Sequence, residues 1–281
     1  MSELVNKATS KVPIDDNLVN YGAIKSSLKG SNSDKKFYVS TAIAYTNGFP
    51  HMGHAYEALS ADVIARYMRV QGYDTFFLTG SDEHGQKVAA AAEKNGMAPI
   101  DHCNLYVNAF KALNQRLCVS NNSYQRTTDK YHEETSQRLW KMCADMSDDI
   151  YLDCYEGWYN EREETFVTDA EAEANQFIDP GTGTALKRVS EESYFFRMSK
   201  YCDALIAKIE AEPGFIQPEM HRNSILARLK MDGLRDLSIS RTTFNWGIPA
   251  PDGFQSNHVM YVWFDALTNY LSGKLFVLLY P

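Results

Sequence analysis

Two histidines three residues apart, His51 and His54, enclose a glycine in the run Pro50-His51-Met52-Gly53-His54. The run falls between a β-branched, aromatic stretch and a segment with apolar residues at helical spacing, so it should form a helix N-terminus. Such a terminus has unpaired N–H groups and the positive end of the helix dipole, and it attracts phosphate. Side chains at i and i+3 share one face. Both imidazoles can therefore donate a hydrogen bond to a phosphoryl oxygen as charge develops on it. Gly53 leaves no side chain to obstruct a flat base or ribose. One other glycine-rich stretch, Asp179-Pro180-Gly181-Thr182-Gly183, suggests a dinucleotide fingerprint only superficially. It lacks a third glycine, a preceding strand and a following long helix, and reads as a turn.

The elements that position the histidines follow from the pattern around them. Phe37 to Tyr45 reads as one buried strand, followed by a turn at Asn47-Gly48-Phe49-Pro50. A helix should run from about Met52 to Val70, with Leu59, Val63, Ile64, Tyr67 and Met68 at helical spacing, and Gly72 closes it. A second buried strand, Thr75 to Thr79, leads into Gly80-Ser81-Asp82-Glu83-His84-Gly85, and a further helix spans Lys87 to Lys94. Strand, helix, strand, helix at this spacing predicts an α/β fold with a parallel sheet and functional loops at the strands' carboxyl ends. The middle of the chain differs. It should contain an amphipathic helix over 131–146, a strand from Tyr151 to Tyr159, and helices over 197–211 and 219–230. Residues 161–179 carry an acidic excess that reads as a solvated face. The α/β style resumes at Leu237 to Arg241, and His258 to Asp265 looks strand-like.

Composition excludes several classes. The chain has 281 residues, 44% of them apolar and 12% aromatic, enough for a sizeable core and against general disorder. With 28 basic and 36 acidic residues it carries a net charge of -8, the wrong sign for broad non-specific nucleic-acid binding. The five cysteines are odd in number and form no C-x-x-C, so neither a disulfide framework nor a cysteine zinc site is expected. No apolar run approaches the ~20 residues of a membrane span. Residues 1–36 lack an apolar signal core and arginine, and read as a flexible leader. The chain is expected to be cytoplasmic, without membrane association.

Several motifs in register narrow the reading. His-x-Gly-His after the first strand is the first signature of class I aminoacyl-tRNA synthetases. Tyr45 to His54, Ala61 to Tyr67 and Gly80 to Gly85 closely resemble methionyl-tRNA synthetases. So do, in the same order, Tyr155 to Tyr159, Glu191 to Phe196 and Val262 to Leu267. The resemblance covers about residues 37–273. It implies a Rossmann-like catalytic domain, with its first half at 37–133 and the start of its second half at 236–281. A connective α+β insertion with a degenerate zinc knuckle would occupy 134–235. It also implies ATP-dependent activation of L-methionine to methionyl-adenylate and transfer to tRNA(Met), with Mg²⁺ on the nucleotide. By the same resemblance His51, Gly53 and His54 bind ATP, and the two histidines stabilise the transition state. Asp82 binds the α-ammonium, while Ile43, Tyr45, Trp263, Ala266, Leu267 and Tyr270 form the methionine pocket. Arg241 matches an arginine that steadies the aspartate or the phosphates, and equally suits an exposed solubilising charge.

The sequence departs from the family in two places. Asn160-Glu161-Arg162-Glu163 stands where many relatives have a C-x-x-C, so no structural zinc is expected. The second family signature, a Lys-Met-Ser-Lys-Ser loop, does not occur. Arg197-Met198-Ser199-Lys200 lies inside the insertion and reads as helix-starting structure. The chain thus reads as the amino-terminal part of a methionine–tRNA ligase. A fragment that binds methionine, ATP or a partner without turnover is the alternative, and a general nucleotidyltransferase sharing only His-x-Gly-His is a third reading. Missing strands would leave a sheet edge and part of an apolar face uncovered, so poor solubility or marginal folding is expected. Membership of a multi-synthetase assembly stays open.

Overall fold

A computed structural model describes residues 35–279 apart from 161–164 and 168. The expected leader, save its last two residues, and most of the degenerate knuckle therefore lie outside the described residues. The chain divides into two units, one of residues up to 136 with 246–248 and 262 onward, the other of 137–245 with 249–261.

In the first unit the expected opening strand is broken in two, β1 (Lys36–Ser40) and β2 (Ala44–Tyr45). Both run parallel to one side of β3 (Asp74–Asp82), with Val39 opposite Phe77 and Tyr45 opposite Asp82. The break has a local cause. The Ala42 N–H donates to Glu57 Oε1 at 2.6 Å, and Thr41 pairs its hydroxyl with that of Thr79 at 2.8 Å. The chain leaves the ladder there and rejoins it two residues on. β4 (Ser123–Arg126) runs parallel to β3 on its other side. The β1 strand is half-buried rather than buried, and no strand among the described residues covers its outer edge.

Helix α1 (Met52–Val70) has the expected bounds but not the expected inner face. Ala58, Ala61, Asp62 and Ala65 are buried, whereas Val63 and Tyr67 are 65% and 61% exposed. Small side chains allow close approach to Phe77 of β3, and the larger apolar ones turn outward. Buried Asp62 accepts hydrogen bonds from Arg66 Nε (2.6 Å) and the Ser120 N–H (2.7 Å), which ties α1 to the approach to β4. Helix α2 (Gln86–Lys94) follows the acidic motif as anticipated. A helix α3 (Pro99–Arg116) follows and starts with proline at its first position, where the missing N–H costs nothing.

Helix α4 (Lys130–Ser147) leads into the second unit. There β5 (Ile150–Asn160) pairs antiparallel with β7 (Lys187–Phe196) from Ile150 opposite Phe196 to Tyr159 opposite Lys187. β6 (Thr165–Val167) and β8 (Leu237–Ser238) complete a sheet of order β6-β5-β7-β8. Trp140, fully buried, meets Tyr194 and Phe254 edge-on at 5.6 and 5.7 Å. Beyond α5 (Asp169–Ala174), a 3₁₀ turn at Met198–Tyr201 precedes α6 (Cys202–Ala211), which packs on α7 (Glu219–Asp232) through Ile209, Leu226 and Leu229. β9 (Ser240–Arg241) pairs antiparallel with β10 (Val259–Met260).

The expected strand over 258–265 is corrected. It ends at Met260, and Val262 opens helix α8 (Val262–Leu279). Asp265, Thr268, Asn269 and Ser272 recur at three- and four-residue spacing, and all four are buried. That polar row decides for a helix where the β-branched and aromatic residues alone suggested extension.

Candidate active site at the carboxyl ends of β2 and β3

His51 is the N-cap of α1, with extended backbone. Its Nδ1 accepts from the Gly53 N–H at 3.1 Å, while its own N–H donates to His54 Nδ1 at 3.1 Å. This is a reciprocal capping box built from two imidazoles. A nitrogen that accepts carries no proton, so both rings hold theirs on Nε2. The ring centroids lie 3.9 Å apart with the planes tilted by 33°, and His54 is braced edge-on by Phe110 at 4.9 Å. Burial and the His51 ring push the His54 imidazole below its ordinary 6.5, against a smaller opposing pull from Glu57. The pair thus presents two Nε2–H donors at a positive helix end. Gly53 suits the cap, because a Cβ there would lie 3.0 Å from His51 Cε1 and 3.1 Å from Nδ1 and would press the ring out of place.

Parallel pairing puts Tyr45 and Asp82 opposite one another at the strand ends, their side chains on one face. Ile43 packs against Gly80, whose hydrogen is obligatory. A Cβ at that position would sit 2.1 Å from the Gln125 carbonyl of β4. Tyr270 of α8 closes on the same place. Burial raises its phenol above 10.0, a hydrogen bond from the Ile43 N–H opposes this, and the charges of Glu57 and Asp82 add to the rise. The structure therefore gathers Ile43, Tyr45, Asp82 and Tyr270. Ala266 is half-buried one turn before Tyr270, while Trp263 and Leu267 are 48% and 53% exposed on the outer row of α8.

Arg241 belongs to the second unit, and it is not an exposed charge. Its guanidinium donates to Ser238 Oγ at 2.6 Å and the Ser240 carbonyl at 2.7 Å, and lies 3.7 Å from the Tyr261 ring centroid. Lys200 of the Arg-Met-Ser-Lys run is held by Asp149 (2.7 Å) and the Ser147 carbonyl (2.9 Å). The Asp179 carboxylate accepts from the Gly181 and Thr182 N–H groups, so that turn is closed by its own side chain.

Sequence reasoning missed what lies behind the site. Glu83, fully buried, takes two hydrogen bonds from Arg126, at 2.8 Å to Oε1 and 2.7 Å to Oε2. Ser81 and Thr128 hydroxyls donate to the same carboxylate, and Trp246 Nε1 donates to the Glu83 carbonyl at 2.6 Å. Asp82 is thus flanked by a rigid, satisfied neighbour. Among the described residues no group of three or more His, Cys, Asp or Glu could hold a metal ion. No helix there is long and apolar enough to cross a membrane.

A family model described as tRNA synthetases class I (M) matches residues 37–176 and 173–277. The methionine–tRNA ligase of Brucella suis is 46% identical over 242 residues, covering 85% of this chain and 46% of that protein. That of Mycobacterium bovis is 46% identical over 247 residues, 86% of this chain and 46% of its own length. A crystal structure of Mycobacterium tuberculosis methionyl-tRNA synthetase bound by methionyl-adenylate superposes with TM-score 0.78 at 46% identity, over 85% of this chain and 47% of that one. The apo form of the same synthetase gives 0.67 at 44% identity, over 86% of this chain and 46% of that one. The chain therefore spans about half the length of the relatives it matches.

Proposed function

The chain belongs to the methionyl branch of the class I tRNA synthetases, and on that premise we propose that it binds L-methionine and ATP and contributes to methionyl-adenylate formation, the first step of methionine–tRNA ligation. The observation that carries this is the double-histidine cap, which uses the Nδ1 atom of each ring within the helix start and so leaves each Nε2–H as a donor at the positive end of the helix. In the reaction, the methionine carboxylate attacks the α-phosphate of ATP and pyrophosphate leaves. Negative charge accumulates on the phosphoryl oxygens, and preorganised donors stabilise that charge without reorganising. His51 and His54 supply them. Gly53 holds the His51 ring against the helix and leaves room for adenosine.

Asp82 receives the α-ammonium in a charge-assisted bond. Ile43, Tyr45, Trp263, Ala266, Leu267 and Tyr270 take the thioether side chain, to which aromatic rings contribute about 0.3–1.5 kcal/mol per sulfur contact. Arg241 keeps, by the family resemblance alone, the role of a supporting residue. The described residues offer no cage for Mg²⁺. Mg²⁺ is accordingly assigned to the phosphates of the nucleotide, and no step is routed through it. Transfer to tRNA(Met) belongs to the whole protein, and the cytoplasm is its compartment. Residues 37–133 and 236–281 serve as parts of the catalytic domain and 134–235 as the connective insertion. The insertion is assigned no structural zinc, which elemental analysis of the purified chain would check.

The test is methionine-dependent ATP–pyrophosphate exchange by this chain, with Asp82→Ala as control. Exchange that Asp82→Ala abolishes is the expected result, and exchange indifferent to methionine would refute the reading. Because the chain spans about half the length of its relatives, binding without turnover is the second reading. Saturable methionine binding with no exchange would select it.

A further inference from the structure

Helix α8 reverses the usual polarity of a packed helix. Its buried row is Asp265, Thr268, Asn269 and Ser272, none more than 2% exposed, while Trp263, Leu267 and Leu271 are about half exposed. An apolar stripe normally pins a helix to its core. Here polar side chains do so. Asp265, with no exposure, receives His84 Nδ1 on Oδ2 at 2.6 Å and His132 Nε2 on Oδ1 at 2.7 Å. His132 reaches back to α8 through Nδ1, 2.9 Å from Ser272 Oγ. Asn269 Nδ2 donates to the Gln125 carbonyl at 3.3 Å, and the Tyr38 hydroxyl to the Tyr270 carbonyl at 2.9 Å. The helix is thereby joined to β1, β4, the start of α4 and the residue two beyond Asp82.

A fully buried carboxylate is tolerated only when paired and hydrogen-bonded, and both oxygens here are used at charge-assisted lengths. Apolar packing accepts small slips between neighbours. This arrangement does not, since moving α8 by one residue, about 1.5 Å of rise and 100° of rotation, would leave a buried charge without partners. The geometry points to Asp265 as a positioning residue of the amino-acid site. By bridging His84 and His132 it sets the rotation and height of α8, and so the presentation of Trp263, Ala266, Leu267 and Tyr270 to a ligand whose ammonium is held by Asp82. The identity of that ligand rests on the methionine reading above, whereas the placement of the helix does not.

The test uses the 281-residue chain with 5-fluorotryptophan at its four tryptophans, followed by fluorine NMR and by calorimetric titration with L-methionine and, separately, ATP. Asp265→Asn keeps the size of the side chain and removes the charge and one acceptor. The Trp263 resonance should move or broaden while that of Trp158, in the second unit, stays in place. Methionine affinity should fall about tenfold or more, with ATP affinity changed less than about twofold. A general loss of fold would lower both affinities and move every resonance. An unmoved Trp263 resonance, or a moved one with unchanged methionine affinity, overturns the role. Should the unsubstituted chain fail to bind methionine, the proposed function falls, and the fluorine spectra still decide the helix. If Asp265→Asn does not fold, Ser272→Ala, which removes the far contact of His132 and a bond to the Asn269 carbonyl within α8, should move Trp263 in the same way but less. No movement there overturns the inference.

Discussion

Replacing Arg126 by methionine should expose how the site is held rigid. Glu83 is fully buried, and the Arg126 side chain is only 19% exposed, so solvent screens their pairing little. The substitution removes the bonds at 2.8 and 2.7 Å to the two carboxylate oxygens and leaves the Ser81 and Thr128 hydroxyls as donors. Breaking a buried pair from one side costs about 3–5 kcal/mol, mainly through the charge left behind, and two surviving hydroxyl donors argue for the lower end. At roughly 2–4 °C per kcal/mol, a loss of about 3 kcal/mol lowers the melting temperature by about 6–12 °C. Circular dichroism melts at neutral pH would read this directly. Adding Glu83→Gln removes the unpaired charge and should return more than half of the loss. Two results would refute the reasoning. One is Arg126→Met melting within about 2 °C of the unsubstituted chain. The other is a double variant no more stable than Arg126→Met alone, which would mean that lost packing dominates.

Gly53→Ala places a Cβ 3.0 Å from His51 Cε1, so the ring should leave its cap. The lost cap, about 0.5–2 kcal/mol, and the gained helix propensity, about 1 kcal/mol, nearly cancel, so the melt should barely move. Pyrophosphate exchange should fall about 100-fold; full exchange would show that the cap does not orient the donors. Burial opposes ionisation of Asp265, yet the His84 charge and the hydrogen bonds from His132 and His84 outweigh it and hold the carboxyl below 3.8. A depressed native pKa means that unfolded chains bind the proton first. Urea midpoints should therefore be insensitive to this group above about pH 5 and fall as pH drops below about 4, and a midpoint that rises there would contradict the assignment. Burial also pushes the Cys103 thiol up to about 11, against a hydrogen bond with Thr46. Titration with a thiol reagent at pH 8 should modify exposed Cys118 and Cys154 first, and Cys103 only on unfolding.

The elements whose signals are local were legible in the sequence. His51 to His54 announces a helix start because capping depends on residues three apart, and the helix up to Val70 has the anticipated bounds. The β3 run could be read because a strand buried on both faces is continuously apolar. The α1 face could not be read, because whether Ala61 or Val63 turns inward depends on how closely a sheet approaches, not on hydrophobicity. The helix α8 was hidden by β-branched and aromatic residues that suit extension as well, until the polar row at Asp265, Thr268, Asn269 and Ser272 found its partners.

The sequence by itself thus determined the family, the helix start at His51, and the acidic and aromatic residue types proposed for an amino-acid site. Only the tertiary structure decided which groups meet. Arg126 and Glu83 are 43 positions apart, and His132 and Asp265 are 133 apart. No periodicity or spacing encodes such pairs. They exist because parallel strands bring distant segments side by side, and because a buried charge is stable only where the fold supplies its partner.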